Sequence, residues 1–456
     1  MTLQISYLNL AHHKNGKRLW LQGLRLEEAG YEIGTLYALH YDDEQHKIVL
    51  SLSEQGTNRV SRKRAGAHFY PLIDIVNQQV KTLFESVERV RATIENGTIT
   101  IDYHEYDQKR IERENRLRMT LEQGRPITTA SAAHGAGIMD YYIHQGLADE
   151  GYRSSLIWAI EPVNDYLQCS LRNNPIWAYQ SVAIEGRLED VNSSDLEPPL
   201  LFCAGLPCVS HSRSGKSKKG LKNGETDESA GNPFISWLAL IKQLSPVVIL
   251  LENVPEYQTS LSMHMIREAL SDWQYAVHEI IVDRELGAFE DRKRMAMVAV
   301  SRGINFSFDL KPTRQREQFL GEILEDIPDD SNRWKALEYL EAKEARDKAA
   351  GKGFRMQLVD QHSSAVLTVG RHYAKFRSTE ALVVNEHDPA SKRLLTVREH
   401  CRVKGIDPSL VDGLSSTKAH QCLGQSVLGP AFQAIGRNIA QCLKQQFPSS
   451  VINQAA

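Results

Sequence analysis

Cys208 has the most chemistry to offer of any residue in the chain. It lies in Leu201-Phe202-Cys203-Ala204-Gly205-Leu206-Pro207-Cys208-Val209-Ser210, which reads as a strand leading into a Pro-Cys loop. A thiol at a strand end beside a nucleotide pocket is exposed and polarised and can attack as a thiolate, whereas a buried thiol packs as a small hydrophobe. Downstream, Ser212 to Asn223 is rich in Ser and Gly and carries Arg213, Lys216, Lys218, Lys219 and Lys222. Such a cationic stretch suits closure over a phosphate backbone, and its plainer reading is a solvated surface loop.

Three other patterns bear polar groups at expected strand ends. His134-Gly135-Ala136-Gly137-Ile138-Met139-Asp140 follows a strand and precedes a helix, and Glu161 closes the next strand. Glycines at such a turn let backbone approach a nucleoside, and the acidic residue can accept from ribose hydroxyls. The apolar run Val248-Ile249-Leu250-Leu251 delivers Glu252 and Asn253 to the carboxyl edge of the sheet, where open α/β folds bind ligands. In Glu290-Asp291-Arg292-Lys293-Arg294, two arginines two residues apart on extended chain point the same way, which suits an anion or a carbonyl oxygen.

Taken in this order, the patterns resemble the cytosine-C5 DNA methyltransferase family. Arg393-Leu394-Leu395-Thr396-Val397-Arg398-Glu399 followed by Gly405, and Gly424-Gln425-Ser426-Val427, are similar to that family's last two motifs. The resemblance runs from about residue 126 to 445, and six ordered motifs are far more specific than any one of them. It implies S-adenosyl-L-methionine as cofactor, held by His134, Gly135, Ala136, Gly137, Ile138, Glu161, Leu188, Pro207, Gln425 and Ser426. It also implies double-stranded DNA as partner, with Cys208 adding to carbon 6 of a flipped-out cytosine and Glu252 protonating or holding N3. Arg294 would bind the ring carbonyl, with Arg292 supporting it or a phosphate, and Asn253 and Pro207 would shape the nucleophile loop.

Several positions depart from the family pattern. Ala133 stands where an aromatic cofactor contact is usual, and Arg187 where an Asp usually meets the adenine amino group. Val209, Glu290 and Gln425 replace the usual Gln, Gln and Asn. An RNA substrate, as in the branch of the family that acts on transfer RNA, and a DNA-binding homologue without turnover both remain open on the sequence.

The elements that must position these groups alternate. Apolar strands at 127–133, 155–160, 200–204, 246–251, 275–282 and 295–300 are separated by helical stretches, which predicts a doubly wound, mostly parallel, Rossmann-like sheet over residues 126–302. Residues 303–390 break that rhythm and are expected to recognise the target. They include a helix over 330–351, a strand-like piece at 365–370, and Arg371-His372-Tyr373-Ala374-Lys375-Phe376-Arg377, whose mix of base and aromatic suits DNA contact. Residues 391–456 are expected to return to the catalytic domain.

At the other end, residues 1–105 read as a small, mainly β module, joined by a charged helical connector at 106–125. Leu26-Glu27-Glu28-Ala29-Gly30-Tyr31-Glu32-Ile33-Gly34 and the strand after it are similar to the swapped-hairpin DNA-binding domains of AbrB and SymE-like proteins. Arg59, Arg62, Lys63 and Arg64 are candidates for phosphate contact; dimerisation is the other expected role. No internal repeat is apparent.

A net charge of −3 excludes a uniformly basic nucleic-acid coat, so charge is read by region. The six cysteines form no C-x-x-C pair, so no metal is expected, and free thiols suit a reducing cytoplasm. Without a signal-like start or a long apolar run, no membrane partner is expected. A companion restriction enzyme is left open, and the oligomeric state is not legible.

Overall fold

The computed structural model of the protein describes residues 3–14, 16–207, 233–377 and 380–448. Cys208, Val209 and the basic stretch at 212–223 lie outside the described residues. Two compact units, residues 1–112 and 113–456, divide within the helix Glu105–Glu122. Among the described residues, no helix is long and apolar enough to cross a membrane.

The first unit is built on a repeat that the sequence conceals. Each half runs as a leading strand, a hairpin, a short helix and a second hairpin. The first half uses Gln4–Asn9, then Ala11–His13 with Gly16–Gln22, the helix Leu24–Glu28, then Leu36–Asp42 with Lys47–Leu52. The second uses Asn58–Arg59, then Ser61–Ala65 with His68–Val76, the helix Gln78–Leu83, then Arg89–Glu95 with Thr98–Tyr103. Equivalent strands pair antiparallel with each other, Gly16–Gln22 with His68–Val76 and Lys47–Leu52 with Thr98–Tyr103. Each leading strand crosses over, so that Gln4–Asn9 pairs with Arg89–Glu95 and Asn58–Arg59 pairs with Leu36–Asp42.

These pairings define an approximate two-fold relation and overturn the expectation of no internal repeat. The reason is physical: the halves share alternation, not residue identity. Leu19 and Leu21 answer to Ile73 and Ile75, and Ile48 and Leu50 to Ile99 and Ile101, all buried in one core.

In the second unit, labels begin with strand β1 (Ile127–Ala132), followed by α1 (Ile138–Asp149), β2 (Ser154–Glu161), α2 (Asn164–Asn173), β3 (Trp177–Glu185) and β4 (Leu201–Gly205). Then come α3 (Pro233–Leu244), β5 (Val248–Asn253), α4 (Leu261–Asp272), β6 (Tyr275–Val282) and β7 (Arg294–Ser301). The seven strands lie in the order β3-β2-β1-β4-β5-β7-β6. Only β7 runs against its neighbours. Along β5 every residue is buried, with Val248 and Leu250 in the core on one face and Ile249 and Leu251 in the core on the other. Continuous apolar runs of this kind mark strands covered by helices on both sides. Strand order reverses at β1 and β4, so the carboxyl ends of those two strands frame the crevice where such sheets bind ligands.

The helix Glu105–Glu122 is more than a charged connector. Arg113 is buried, bonding to Ser301 Oγ (2.9 Å), Ser245 Oγ (3.3 Å) and the carbonyls of Trp273 (3.0 Å) and Gln274 (2.6 Å), and its guanidinium lies over the Tyr275 ring. Leu117 and Leu121 join the core of the second unit.

After β7 the chain forms a four-stranded sheet of Lys335–Ala336, Ser391–Arg393, Ala381–Val384 and Gln357–Val359. This sheet therefore takes in residues beyond 390. The helix expected over 330–351 is confined to α5 (Glu338–Ala349), because Ser331 to Trp334 turn and Lys335–Ala336 is strand. Three helices close the chain: α6 (Val397–Val403), α7 (Ser416–Gln425) and α8 (Gly429–Gln446). Arg393 and Glu399, both buried, form a two-point ion pair at 2.7 and 2.8 Å, and Glu399 completes a capping box with Thr396.

Helix α8 lies against α1 so closely that a Cβ on Gly146 would run into the backbone of Gln433 and Arg437, and one on Gly436 into Ile143. Gly146→Val is expected to destabilise the second unit by about 3 kcal/mol or more, since backbone on each side leaves nothing to yield. Gly353→Ala, with no atom within 4 Å of the added methyl, should change stability by less than about 0.5 kcal/mol. Denaturant unfolding of both variants checks this, and a Gly146→Val protein as stable as its parent would show that the helices part freely.

Candidate active site

The glycine turn after β1 depends on left-handed backbone. Ala133, Gly135 and Gly137 have φ of 53, 60 and 71°, a region natural to glycine and strained for alanine. The turn brings the Gly135 N–H to Glu161 Oε2 at 2.7 Å, while Oε1 accepts from the Val163 N–H at 2.9 Å. Burial raises the Glu161 pKa, and these two amides oppose the shift. Each carboxylate oxygen has further lone pairs, so the residue keeps capacity for a hydroxyl donor.

His134 faces inward. Its Nε2 meets Ser170 Oγ at 2.8 Å, its Nδ1 lies 2.9 Å from Asp140 Oδ2, and its ring meets Trp177 edge to face. Ala136 and Ile138 are buried, and Ile138 opens α1. His134 thus braces the turn from behind. Leu188 is buried in a single 3-10 turn. Arg187 is exposed and pairs with Glu189 at 3.4 Å, and Glu185 accepts from Asn164 Nδ2 at 2.6 Å. Gln425, exposed, and Ser426, half-buried, sit at the end of α7.

The second cluster lies at the ends of β4, β5 and β7. Gly205 is paired with Glu252, and Asn253 Nδ2 donates to the Leu206 carbonyl at 3.2 Å, tying the end of β5 to the loop that continues through the exposed Pro207. Glu252 is 9% exposed, and its Oε1 lies 2.8 Å from Arg294 Nε. Burial pushes the Glu252 pKa up, and the nearby positive charges of Arg294 and then Arg292 pull it back. The result is a carboxyl held closer to neutrality than a solvated one, beside a guanidinium that is partly exposed.

Arg292 does not share that exposure. It is 2% exposed, with Nη2 donating to the Gly424 carbonyl at 2.8 Å, Nη1 to the Val369 carbonyl at 3.3 Å, and Glu290 Oε1 3.3 Å from Nη1. The expected role of Arg292 as a direct support for the ring or a phosphate is therefore corrected: its donors face protein, because residues 290–293 precede β7 and run beneath the turn at 424. Sequence reasoning also missed Lys404, whose Nζ reaches Glu290 Oε2 with both side chains wholly buried. The only hint was the carboxylate at 290. Tyr373, read as a candidate DNA contact, is buried against His400 and His420, and donates to the Ala381 carbonyl at 2.7 Å. Arg371, His372, Lys375 and Arg377 around it are exposed.

The sheet order and the carboxyl-end cluster define a methyltransferase fold, and solved structures with that fold exist. The chain is similar to the Schizosaccharomyces pombe Dnmt2 methyltransferase, with a TM-score of 0.53 and 16% identity over 70% of this chain and 99% of that one. It is likewise similar to the Entamoeba histolytica methyltransferase EhMeth, with a TM-score of 0.55 and 16% identity over 71% of this chain and 99% of that one. More specifically, residues 135–441 match the model of the C-5 cytosine-specific DNA methylase family, and the chain belongs to that family. Among its relatives, the type II methyltransferase M1.ScrFI of Lactococcus lactis subsp. cremoris is 28% identical over 269 residues, 57% of this chain and 67% of that protein. The type II methyltransferase M.HhaI of Haemophilus parahaemolyticus is 23% identical over 277 residues, 57% of this chain and 81% of that protein.

The pairing at Glu252 has a titration signature. A carboxyl whose pKa is raised by folding contributes stability that is complete below its unfolded pKa and is lost as pH rises through the folded value. Arg294→Met removes the charge that most opposes the upward shift, so the upper end of this window should move to higher pH. Unfolding free energies from about pH 4 to 8 for parent and variant test this; superimposable pH dependences would count against it.

Proposed function

We propose that this DNA cytosine-5 methyltransferase uses Cys208 as nucleophile and S-adenosyl-L-methionine as methyl donor, acting on a cytosine flipped out of duplex DNA. The observation that carries the reading is the buried Glu252 carboxyl at the end of β5, paired with Arg294 and adjoining Gly205, three residues before Cys208.

Carbon 5 of cytosine is a poor nucleophile, and a thiolate added at carbon 6 makes it electron-rich. The Cys208 sulfur forms a bond to carbon 6, and the ring electrons move toward N3. Glu252, whose pKa burial raises, protonates or holds N3 there, and Arg294 steadies the charge on the ring carbonyl. When bound, S-adenosyl-L-methionine supplies the methyl group that carbon 5 acquires. Loss of the carbon 5 proton to solvent water then expels the Cys208 thiolate, and N3 returns its proton to Glu252. Asn253 holds the loop backbone at Leu206 throughout.

For the cofactor, the left-handed Gly135, where an added Cβ would meet nothing within 4 Å, leaves backbone open to a ligand, and Glu161 offers acceptor oxygens to ribose hydroxyls. Leu188, Pro207, Gln425 and Ser426 are assigned to the rest of that pocket, with His134, Ala136 and Ile138 holding the turn. The exposed basic residues around Tyr373 serve target recognition.

Expression in a host free of DNA methylation, followed by mapping of modified cytosines, tests activity and site together. DNA carrying 5-fluorocytosine at the mapped position should trap a covalent complex, and Cys208→Ser should abolish both trapping and methylation. A trapped complex with Cys208→Ser, or none with a parent protein that binds the DNA, would refute the assignment.

The first unit contributes phosphate contacts through Ser61–Ala65, an edge strand exposed along its whole length. Arg62 lies over Phe69 and Lys63 over Trp20, and no ion pair engages Arg62, Lys63 or Arg64 among the described residues. In the counterpart hairpin, by contrast, Lys17 pairs with Glu88 and Arg18 with Asp74. Replacing Arg62, Lys63 and Arg64 with Gln should weaken binding to any duplex and flatten the slope of log K against log salt by up to about 3, at roughly 0.9 per lost phosphate contact. An unchanged slope would mean that the cations only guard a sheet edge.

A further inference from the structure

We infer that Glu290 and Lys404 form a buried positioning pair that fixes Arg292, and through it the turn at Gly424 and the catalytic Arg294. The inference rests on the reaction proposed above and concerns residues that do not touch substrate.

Two distant segments, at Val369 and at Lys404, meet Glu290, and a third, at Gly424, meets its neighbour Arg292. Glu290 Oε1 accepts from the Val369 N–H at 2.8 Å and lies 3.3 Å from Arg292 Nη1, and Oε2 takes Lys404 Nζ. Phe289, one residue earlier, donates its N–H to the Val403 carbonyl at 2.9 Å, so residues 289–290 and 403–404 are joined through both backbone and side chain. Arg292 then bridges the Val369 and Gly424 carbonyls. Gly424 approaches Gly370 so closely that a Cβ would run into the Gly370 carbonyl. The turn carrying Gln425 and Ser426 and the segment carrying Val369 are thus held by one guanidinium, itself held by one carboxylate.

The charges explain why the pair comes as a pair. Arg292, Arg294 and Lys404 bring three basic groups together, and against them stand the carboxyls of Glu252 and Glu290. Burial and then Arg292 push the Lys404 ammonium down to about 7, while Lys404 and Arg292 outweigh burial to keep Glu290 ionised. Each group is costly to bury alone and tolerable beside the other. A neutral amide at 290, expected from the family resemblance, would make the same contacts to Val369 and Arg292 without needing a cation. The carboxylate needs Lys404, and with it gains a stronger hold on Arg292.

The test is a double-mutant cycle on the full-length protein, read as kcat and KM at saturating cofactor and duplex DNA, with unfolding midpoints and the cofactor dissociation constant alongside. Glu290→Gln strands an ammonium among guanidiniums, and Lys404→Met leaves the carboxylate under-neutralised. Each should lower kcat by about tenfold or more and weaken cofactor binding, and the combined variant should recover to within about threefold of the parent. A purely structural role would lower the unfolding midpoint and leave kcat per folded molecule unchanged, which overturns the inference. Multiplying losses in the combined variant also overturn it. Should a single variant fail to fold, the combined variant decides: parent-like kcat supports the pair, and a tenfold loss rejects it. A parent protein that methylates no cytosine would instead reject the proposed reaction, and the cycle in cofactor affinity would still report on the pair.

Discussion

The second unit depends on backbone meeting backbone where the end of the chain closes on its beginning. Helix α8 can lie on α1 only because Gly146 and Gly436 present no side chain at the crossing. A third glycine, Gly429, starts α8 against the Gly405 carbonyl and the Tyr142 ring, and the Tyr142 hydroxyl binds both the Gly405 carbonyl (2.8 Å) and the Asp407 N–H (3.0 Å). These contacts fix where α7 ends, and hence where Gly424 offers its carbonyl to Arg292. Side-chain chemistry at the sheet edge is therefore set by packing laid down behind it.

Electrostatics build on that frame. Glu252 and Arg294 stay close to the surface of the cluster, whereas Glu290, Arg292 and Lys404 are sealed behind them. The division separates groups that can exchange protons and contacts with a ligand from groups whose partners are fixed. A water-poor surround strengthens every attraction in the cluster and makes each unpaired charge costly, so its members are interdependent.

Much of this architecture was legible, for identifiable reasons. Six strands of the seven-stranded sheet follow from apolar runs, because burial on both faces writes itself plainly into sequence. The seventh, β3, was missed: it is an edge strand whose Tyr179 and Val182 face outward, so it lacks that run. Glu252 and Arg294 were legible as strand-end residues, and the structure brings them within 2.8 Å of each other. Arg292 was misassigned because alternation along an extended chain gives direction but not depth, and a guanidinium looks the same in sequence whether it meets solvent or the Gly424 carbonyl. The charged helix Glu105–Glu122 misled in the same way at Arg113. The repeat in the first unit escaped notice because strand pairing constrains only alternation and length, both satisfied by unrelated residues.

That repeat carries a consequence of its own. Because each half lends its leading strand to the other, the arrangement is one that two separate copies of a half-length chain could also form by exchanging strands. Joined in one polypeptide, the halves meet at the fixed effective concentration of a short tether rather than at the concentration of free protein. The fused form therefore does not come apart on dilution, and its two hairpins are free to differ, as one that pairs Lys17 and Arg18 with carboxylates and one in which, among the described residues, Arg62, Lys63 and Arg64 enter no ion pair have done. A symmetric pair of chains could never have acquired that asymmetry.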